Sequence, residues 1–268
     1  MDRQQISAAN QLFAAVRTLD LKLPKQVAEA LEQVDAVRAA VKLIPPHDRQ
    51  GTARAVADAL IQGADPLTDP DVARAITHAA ITQPGVIDHI ETAAFMRLWD
   101  AVNAHSDDMV AAMRKPFDKA ADVLVAAHES IGNLDLKADS EDILKKGGDI
   151  AKVWAGAVEA SETIDTVILA WAMLGRFINT SPTDARWLNL RLINTTAHKF
   201  DDLDLSRKTL TPYDAVRLGV PLTLPTLSEY AGRRAAIVEQ RQKIERDREN
   251  QRRNQGDNSH NLFIGRVR

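Results

Sequence analysis

The sequence predicts an all-α protein, a multi-helix and partly elongated bundle with a long C-terminal helix and an extended tail. Three observations carry that expectation. Only 4% of the 268 residues are aromatic although 45% are apolar, and alanine is abundant. Such a composition suits close-packed helices, whereas a β-sandwich would need more Val, Thr, Tyr and Phe. Helix-start signals recur: Asp69-Pro70-Asp71, Ser181-Pro182-Thr183-Asp184 and Thr211-Pro212-Tyr213-Asp214 each set a capping oxygen before proline, with an acid in the first turn. The cap accepts orphan N–H groups, proline loses nothing at the first helical position, and the acid suits the positive helix end. Between these signals the apolar spacing is mostly three and four.

Taken in order, helices are expected near 3–19, 25–43, 48–62, 70–82, 86–104, 107–131, 140–146, 149–179, 183–200, 212–218 and 226–253. In the second, Val27, Leu31, Val34, Val37 or Arg38, and Val41 form one face; in the fifth, Val86, Ile90, Phe95, Leu98 and Val102 form another. The fourth begins at Asp69. The seventh ends at Lys145-Lys146-Gly147-Gly148, where lysines meet the negative helix end and glycine supplies a left-handed residue. Within the eighth, Ile164–Ile178 is apolar nearly all round apart from Asp165 and Arg176, the mark of a central helix covered by its neighbours. Its Trp171 and Phe177, with Trp154 and Trp187, are expected to form the core of the C-terminal half. The ninth and tenth start at Ser181 and Thr211. Leu218–Pro225 carries two prolines and alternating Leu and Thr, so it reads as an extended strap. Thr226-Leu227-Ser228-Glu229 has capping-box spacing and opens the last helix. Leu-Asp-Leu recurs at Leu19–Leu21, Leu134–Leu136 and Leu203–Leu205, each time after a helical segment. It is either a faint duplication or a recurrent way of turning a corner.

The domain expectation is an N-terminal helical domain over 1–136, a C-terminal helical region over 137–225, and a basic helical arm with a docking tail over 226–268. The polar run Lys137–Gly148 is the boundary between the first two. Charge separates the arm: residues 233–268 hold ten basic and five acidic side chains, net +5, while the other 232 hold 24 and 32, net −8. An acidic body with a basic arm suggests a chain that docks onto something.

Several classes of function are excluded or unsupported. With no cysteine there is no disulfide, thiolate zinc site or thiol catalysis. The N-terminal MDRQQISAANQLF lacks the apolar core of a secretory signal. The longest uncharged apolar stretch, Thr166–Gly175, is far short of the ~20 residues that span a bilayer. A cytoplasmic protein with no membrane partner is expected, or a virion component if the source is viral. Seven histidines occur, but neither His-Glu-x-x-His nor Glu-x-x-His does, so no metal ligands are assigned. His128-Glu129, and His105 near Asp107-Asp108, read as solvated or cap-like groups. Phosphate-loop, dinucleotide and nucleophile-elbow motifs are absent, and Lys145–Gly148 reads as a helix end before an anion cradle. No catalytic residue and no cofactor is assigned.

Ala215-Val216-Arg217-Leu218-Gly219-Val220, followed by Thr226-Leu227-Ser228-Glu229-Tyr230, resembles the helix-turn-helix of bacterial repressors. The resemblance covers about twenty residues. It implies that the second helix enters a DNA major groove, with Arg233 and Arg234 against phosphates. The intervening Pro221–Pro225 is about two residues longer than the family's turn, and Glu229 on the reading helix opposes an anionic partner.

Along the last helix, Tyr230, Ile237 and Ile244 repeat at seven, flanked by Ala231 and Val238, a short seam for a partner helix or for the body. Arg246, Arg248, Arg252 and Arg253 then alternate with acids and amides. After the polar linker Asn254–Asn261, Leu262-Phe263-Ile264-Gly265-Arg266-Val267-Arg268 restores a small apolar cluster and reads as a docking peptide. The segment from Arg233 onward is expected to add few core residues. The expected function is a non-enzymatic structural or assembly component (scaffold, adaptor or virion part). It would meet a protein partner or a second copy through Tyr230, Ile237, Ile244, Leu262, Phe263 and Ile264. The second reading is nucleic-acid binding through the helix-turn-helix-like segment and Arg233, Arg234, Arg252 and Arg253.

Overall fold

The computed structural model describes residues 3–45, 48–83, 85–132, 136–137, 140–180 and 185–264, with side chains as far as 251 except at 185 and 186. Among them are eleven α-helices and no strand: α1 Arg3–Thr18, α2 Lys25–Lys42, α3 Arg49–Ile61, α4 Pro70–Ile81, α5 Val86–Ala104, α6 Ser106–Ile131, α7 Ser140–Leu144, α8 Gly148–Phe177, α9 Ala197–Asp202, α10 Pro212–Arg217 and α11 Leu227–Ile264. A 3-10 helix, Ala185–Arg191, precedes α9. The all-α expectation holds, and most element bounds fall within a residue or two of those expected.

The caps form as the sequence implies. Asp69 accepts from the N–H groups of Asp71 and Val72 at the start of α4. Thr211 and Asp214 close a reciprocal capping box on α10, as do Thr226 and Glu229 on α11. The Ser181-Pro182-Thr183-Asp184 start lies outside the described residues. The helix expected over 183–200 is corrected to the 3-10 turn and the short α9, separated by residues 192–196. Asn189 is the physical reason. Its buried amide donates to Leu205 O (2.7 Å) and Lys208 O (2.6 Å) and its oxygen accepts from Leu210 N (2.9 Å), pinning the loop of 205–210 to that turn. Thr196 then starts α9 by accepting from Lys199 N.

Two of the Leu-Asp-Leu triplets are corners. Asp20 and Asp204 sit at φ 49° and 51°. The following leucines donate back five residues, Leu21 N to Val16 O and Leu205 N to Phe200 O, both at 3.0 Å. This is the Schellman helix end with aspartate where glycine is usual. In the third triplet Leu134 and Asp135 lie outside the described residues. Gly147, expected to be left-handed, instead takes φ 118° and ψ 151°, a region open to glycine alone, between α7 and α8.

The chain divides into two compact units, Met1–Ser7 with Leu23–Ser106, and Ala8–Lys22 with Asp107–Arg268. In the first, α2 packs on α5 and α3 on α4. Val27, Ala30 and Val34 of α2, and Ala94, Phe95, Leu98 and Val102 of α5, are buried, while Ile90 is exposed. In the second, Met109, Val110, Met113, Phe117, Ala120, Leu124 and Ala127 make the buried stripe of α6. Ile164, Val167, Trp171, Leu174 and Phe177 make that of α8, which is nonetheless exposed at Leu169. Trp187 is buried with Trp171 and Phe177, but Trp154 is only half-buried. The compact units do not part at Lys137–Gly148. That run lies inside the second unit, where α7 and α10 both pack on α8 and Tyr213 Oη donates to Gly132 O (2.6 Å).

The candidate interface on the C-terminal helix

The first four turns of α11 belong to the body. Thr226 Oγ1 caps Glu229 N (3.1 Å), and the Glu229 carboxylate accepts from Thr226 N (2.6 Å) and from Arg114 on α6. The Thr226 backbone bond, aided by Arg114, holds the Glu229 carboxyl below its ordinary value. Arg114 Nε also donates to Leu224 O (3.0 Å), tying α6 to the strap. The strap is extended from Val220, where Ile193 and Leu222 form an isolated antiparallel bridge and Val220 and Leu224 are buried, whereas Leu218 and Gly219 finish α10 as a turn with Gly219 at φ 62°.

Tyr230, the first member of the seam, is buried. Its hydroxyl donates to Trp187 O (3.0 Å) and its ring lies tilted against Trp171 at 5.2 Å. Trp171 Nε1 donates in turn to Pro225 O (2.8 Å). Ile237 is buried one heptad later. The seam at Tyr230 and Ile237 therefore serves the body and is corrected as a partner surface. The cause is that the strap and the 3-10 turn supply the apolar face these residues need. Ile244, one heptad on, is 36% exposed.

Arg233 is likewise corrected as a nucleic-acid contact. Its Nη1 donates to Leu190 O (3.0 Å), Ile193 O (2.9 Å) and Thr223 O (3.2 Å), and its Nη2 to Thr223 Oγ1 (3.0 Å). Burial pushes its guanidinium down from the ordinary value and Glu229 opposes the shift; arginine nonetheless keeps its charge. Leu190 O lies at the end of the 3-10 turn, Ile193 O follows it and Thr223 O lies in the strap, and the guanidinium N–H groups of Arg233 reach all three. Arg234 is exposed, with its guanidinium 5.9 Å from the Trp187 ring centre. Arg241 pairs with Asp201 and lies over Trp187 (5.6 Å) and Phe200 (5.3 Å), rings that are themselves stacked at 5.5 Å. Gln240 Oε1 accepts from Ala197 N (2.8 Å) at the start of α9. The helix expected as an arm from 226, with its charge step at 233, thus belongs to the body as far as Arg241.

Beyond this point α11 changes character. Among residues 242–251 no side chain is buried over nearly three turns, and Ile244, the one large hydrophobic residue there, is 36% exposed. Lys243, Arg246 and Arg248 alternate there with Glu245, Asp247 and Glu249 and leave no net charge. The helix runs on through 254–261, which the sequence suggested as a linker, to Ile264. Arg252, Arg253, Leu262 and Phe263, with Ile264, lie on that helical backbone, and their side chains are outside the described residues. Since Arg233, Arg234 and Arg241 face the body, the remaining positive excess of the arm lies in residues 252–268, which hold four arginines and one aspartate. No family model, curated protein or solved structure matches the chain.

Other chemistry finds little support in the geometry. A groove of about 450 Å³ is lined by Arg114, Asp118, Asn194, Thr223, Glu229 and Arg233. Both of its arginines already have protein acceptors, so neither is free to hold an anion. At Lys145–Gly147 the N–H groups donate to Glu141 O, Ile143 O and Leu144 O, and Lys145 Nζ reaches Asp142 (2.9 Å). That is a helix end with no cradle left open. His128 Nδ1 lies 3.2 Å from Gly132 O at the end of α6, a cap-like role, and His105 follows the last residue of α5. Among the described residues no cluster of His, Asp and Glu has metal-site geometry, and no helix is long and apolar enough to cross a membrane.

Proposed function

We propose that this chain is a non-enzymatic structural or assembly component whose docking element is the C-terminal part of α11. One observation carries the reading: α11 is 38 residues long, about 57 Å, and its described side chains beyond residue 241 are all exposed. A helix that is polar all round gains no burial of its own, whereas most helical stability in proteins comes from packing an apolar face. A projecting helix of this kind is useful where another surface meets it. The partner is a protein or a second copy of the chain. The nucleic-acid reading keeps Arg234 and the residues past 251, because Arg233 is engaged with the body and the exposed charges of 242–251 cancel. The test is the mass in solution, alone and with candidate partners, of the full chain and of a chain ending at Ile244. Assembly is expected for the full chain and lost in the shorter one. Assembly equal in both overturns the reading, and binding to DNA that disappears at moderate salt replaces it with the second.

A further inference from the structure

We infer that the chain associates head to tail, residues 262–268 of one copy docking on the α3–α4 corner of a second copy. The inference rests on the assembly reading and names its partner. The corner is a built surface. Gly63 N donates to Leu60 O (3.1 Å), Ala64 N to Ala59 O (2.9 Å), Leu67 N to the Asp65 carboxylate (3.0 Å) and Asp69 N to Asp65 O (3.1 Å). Yet the large side chains it carries point outward: Leu60 is 61% exposed, Ile61 82% and Leu67 87%, while α3 and α4 bury only Ala59 and Val72. A single exposed leucine needs no explanation, but three large exposed aliphatics between positions 60 and 67, two at the end of α3 and one in the loop to α4, are of the kind that partners cover.

The charge around the patch indicates the occupant. Residues 55–73 contain Asp58, Asp65, Asp69 and Asp71 and no Lys, Arg or His. Asp71 pairs with Arg74 and Asp69 caps α4, while Asp58 and Asp65 are exposed beside the leucines. A fitting ligand is therefore a short segment with aliphatic or aromatic anchors and flanking cations. The sequence itself supplies one: Leu262, Phe263, Ile264 and Val267 with Arg266 and Arg268, within the stretch where the arm's positive excess is concentrated. Apolar anchors would supply most of the affinity, and the arginine–aspartate pairs would set orientation and encounter rate. Because corner and tail are different surfaces, the contact is heterologous and propagates into a chain of copies or closes into a ring.

The test uses the full chain and two substitutions, Leu67→Lys and Phe263→Ala, followed by sedimentation velocity across a concentration series. Far-ultraviolet circular dichroism checks the fold, which Leu67→Lys should leave unchanged because that side chain is outside the core. The parent chain is expected to self-associate, and each variant to do so at least about tenfold more weakly. An equal mixture of the two variants is expected to form a complex that stops at two copies, because one intact tail and one intact corner remain. A parent chain that stays monomeric, or a mixture that fails to pair, overturns the inference. Association that survives Leu67→Lys but is lost in the chain ending at Ile244 overturns the corner while leaving the assembly reading standing. Association that survives both changes overturns the two together.

Discussion

Asp20, Asn179 and Asp204 all adopt left-handed backbone, at φ 49°, 60° and 51°. Each ends a helix where glycine would meet no Cβ penalty, and Asx residues are the next best tolerated. Asp204→Gly is therefore expected to stabilise the protein by about 0.5–1 kcal/mol, less whatever the freer unfolded glycine returns, as read by urea unfolding. Glu229 gives a prediction with a sign in pH. Its folded-state carboxyl titrates below the ordinary 4.5 because of Thr226 and then Arg114. Its stabilising contribution is thus complete above the unfolded value and is lost as pH falls through the lower folded value. Glu229→Gln is expected to cost about 0.5–1 kcal/mol at neutral pH, a small figure because the side chain is half exposed. The stability curves of parent and variant should converge only as pH falls from the unfolded carboxylate value through the lowered folded one; a gap that stays constant down to acid pH would show that the charge is irrelevant.

Among elements, α6 is the instructive case. Its buried stripe advances by four and three from Met109 to Ala127, and it runs unbroken through Pro116. Proline inside a helix removes one N–H and crowds the carbonyl four residues back, so tertiary packing of that stripe outweighs the local preference. Pro116→Ala is expected to raise stability by about 1–3 kcal/mol, measured by thermal or denaturant unfolding. In α8, Trp171 is buried and its indole N–H donates to Pro225 O, joining the central helix to the strap. Trp171→Ala is expected to cost about 3–5 kcal/mol. A loss near zero would show that this face is not a packed core.

At the scale of the molecule, the boundary between body and arm decides what truncation does. A chain ending at Ile244 keeps Tyr230, Arg233, Ile237, Gln240 and Arg241 in place, and its unfolding midpoint should match that of the full chain. A chain ending at Gly232 strips Leu190 O, Ile193 O and Thr223 O of their guanidinium and uncovers the site of Ile237. Each buried polar group left without its partner costs about 1–3 kcal/mol, so in the chain ending at Gly232 the second unit should lose cooperative unfolding in calorimetry, while the chain ending at Ile244 keeps it.

By itself the sequence determined the helical class, nearly every helix start and the extended strap. Those signals are local: a capping oxygen, a proline at the first position, an apolar spacing of three and four, two prolines in a row of eight. It also singled out Leu-Asp-Leu as either a faint duplication or a corner, and the left-handed aspartates at 20 and 204 make two of the three corners. What only the tertiary structure decided is the destination of side chains whose identity allows several. A heptad of Tyr230 and Ile237 reads the same whether the strap or a partner covers it, and Arg233 looks like a phosphate contact until the carbonyls of Leu190, Ile193 and Thr223 surround it. The division into units behaved likewise, because a polar run such as Lys137–Gly148 marks a surface loop as readily as a boundary. Local propensity is written in a few adjacent residues, whereas burial and hydrogen-bond partnership depend on segments forty to a hundred positions away.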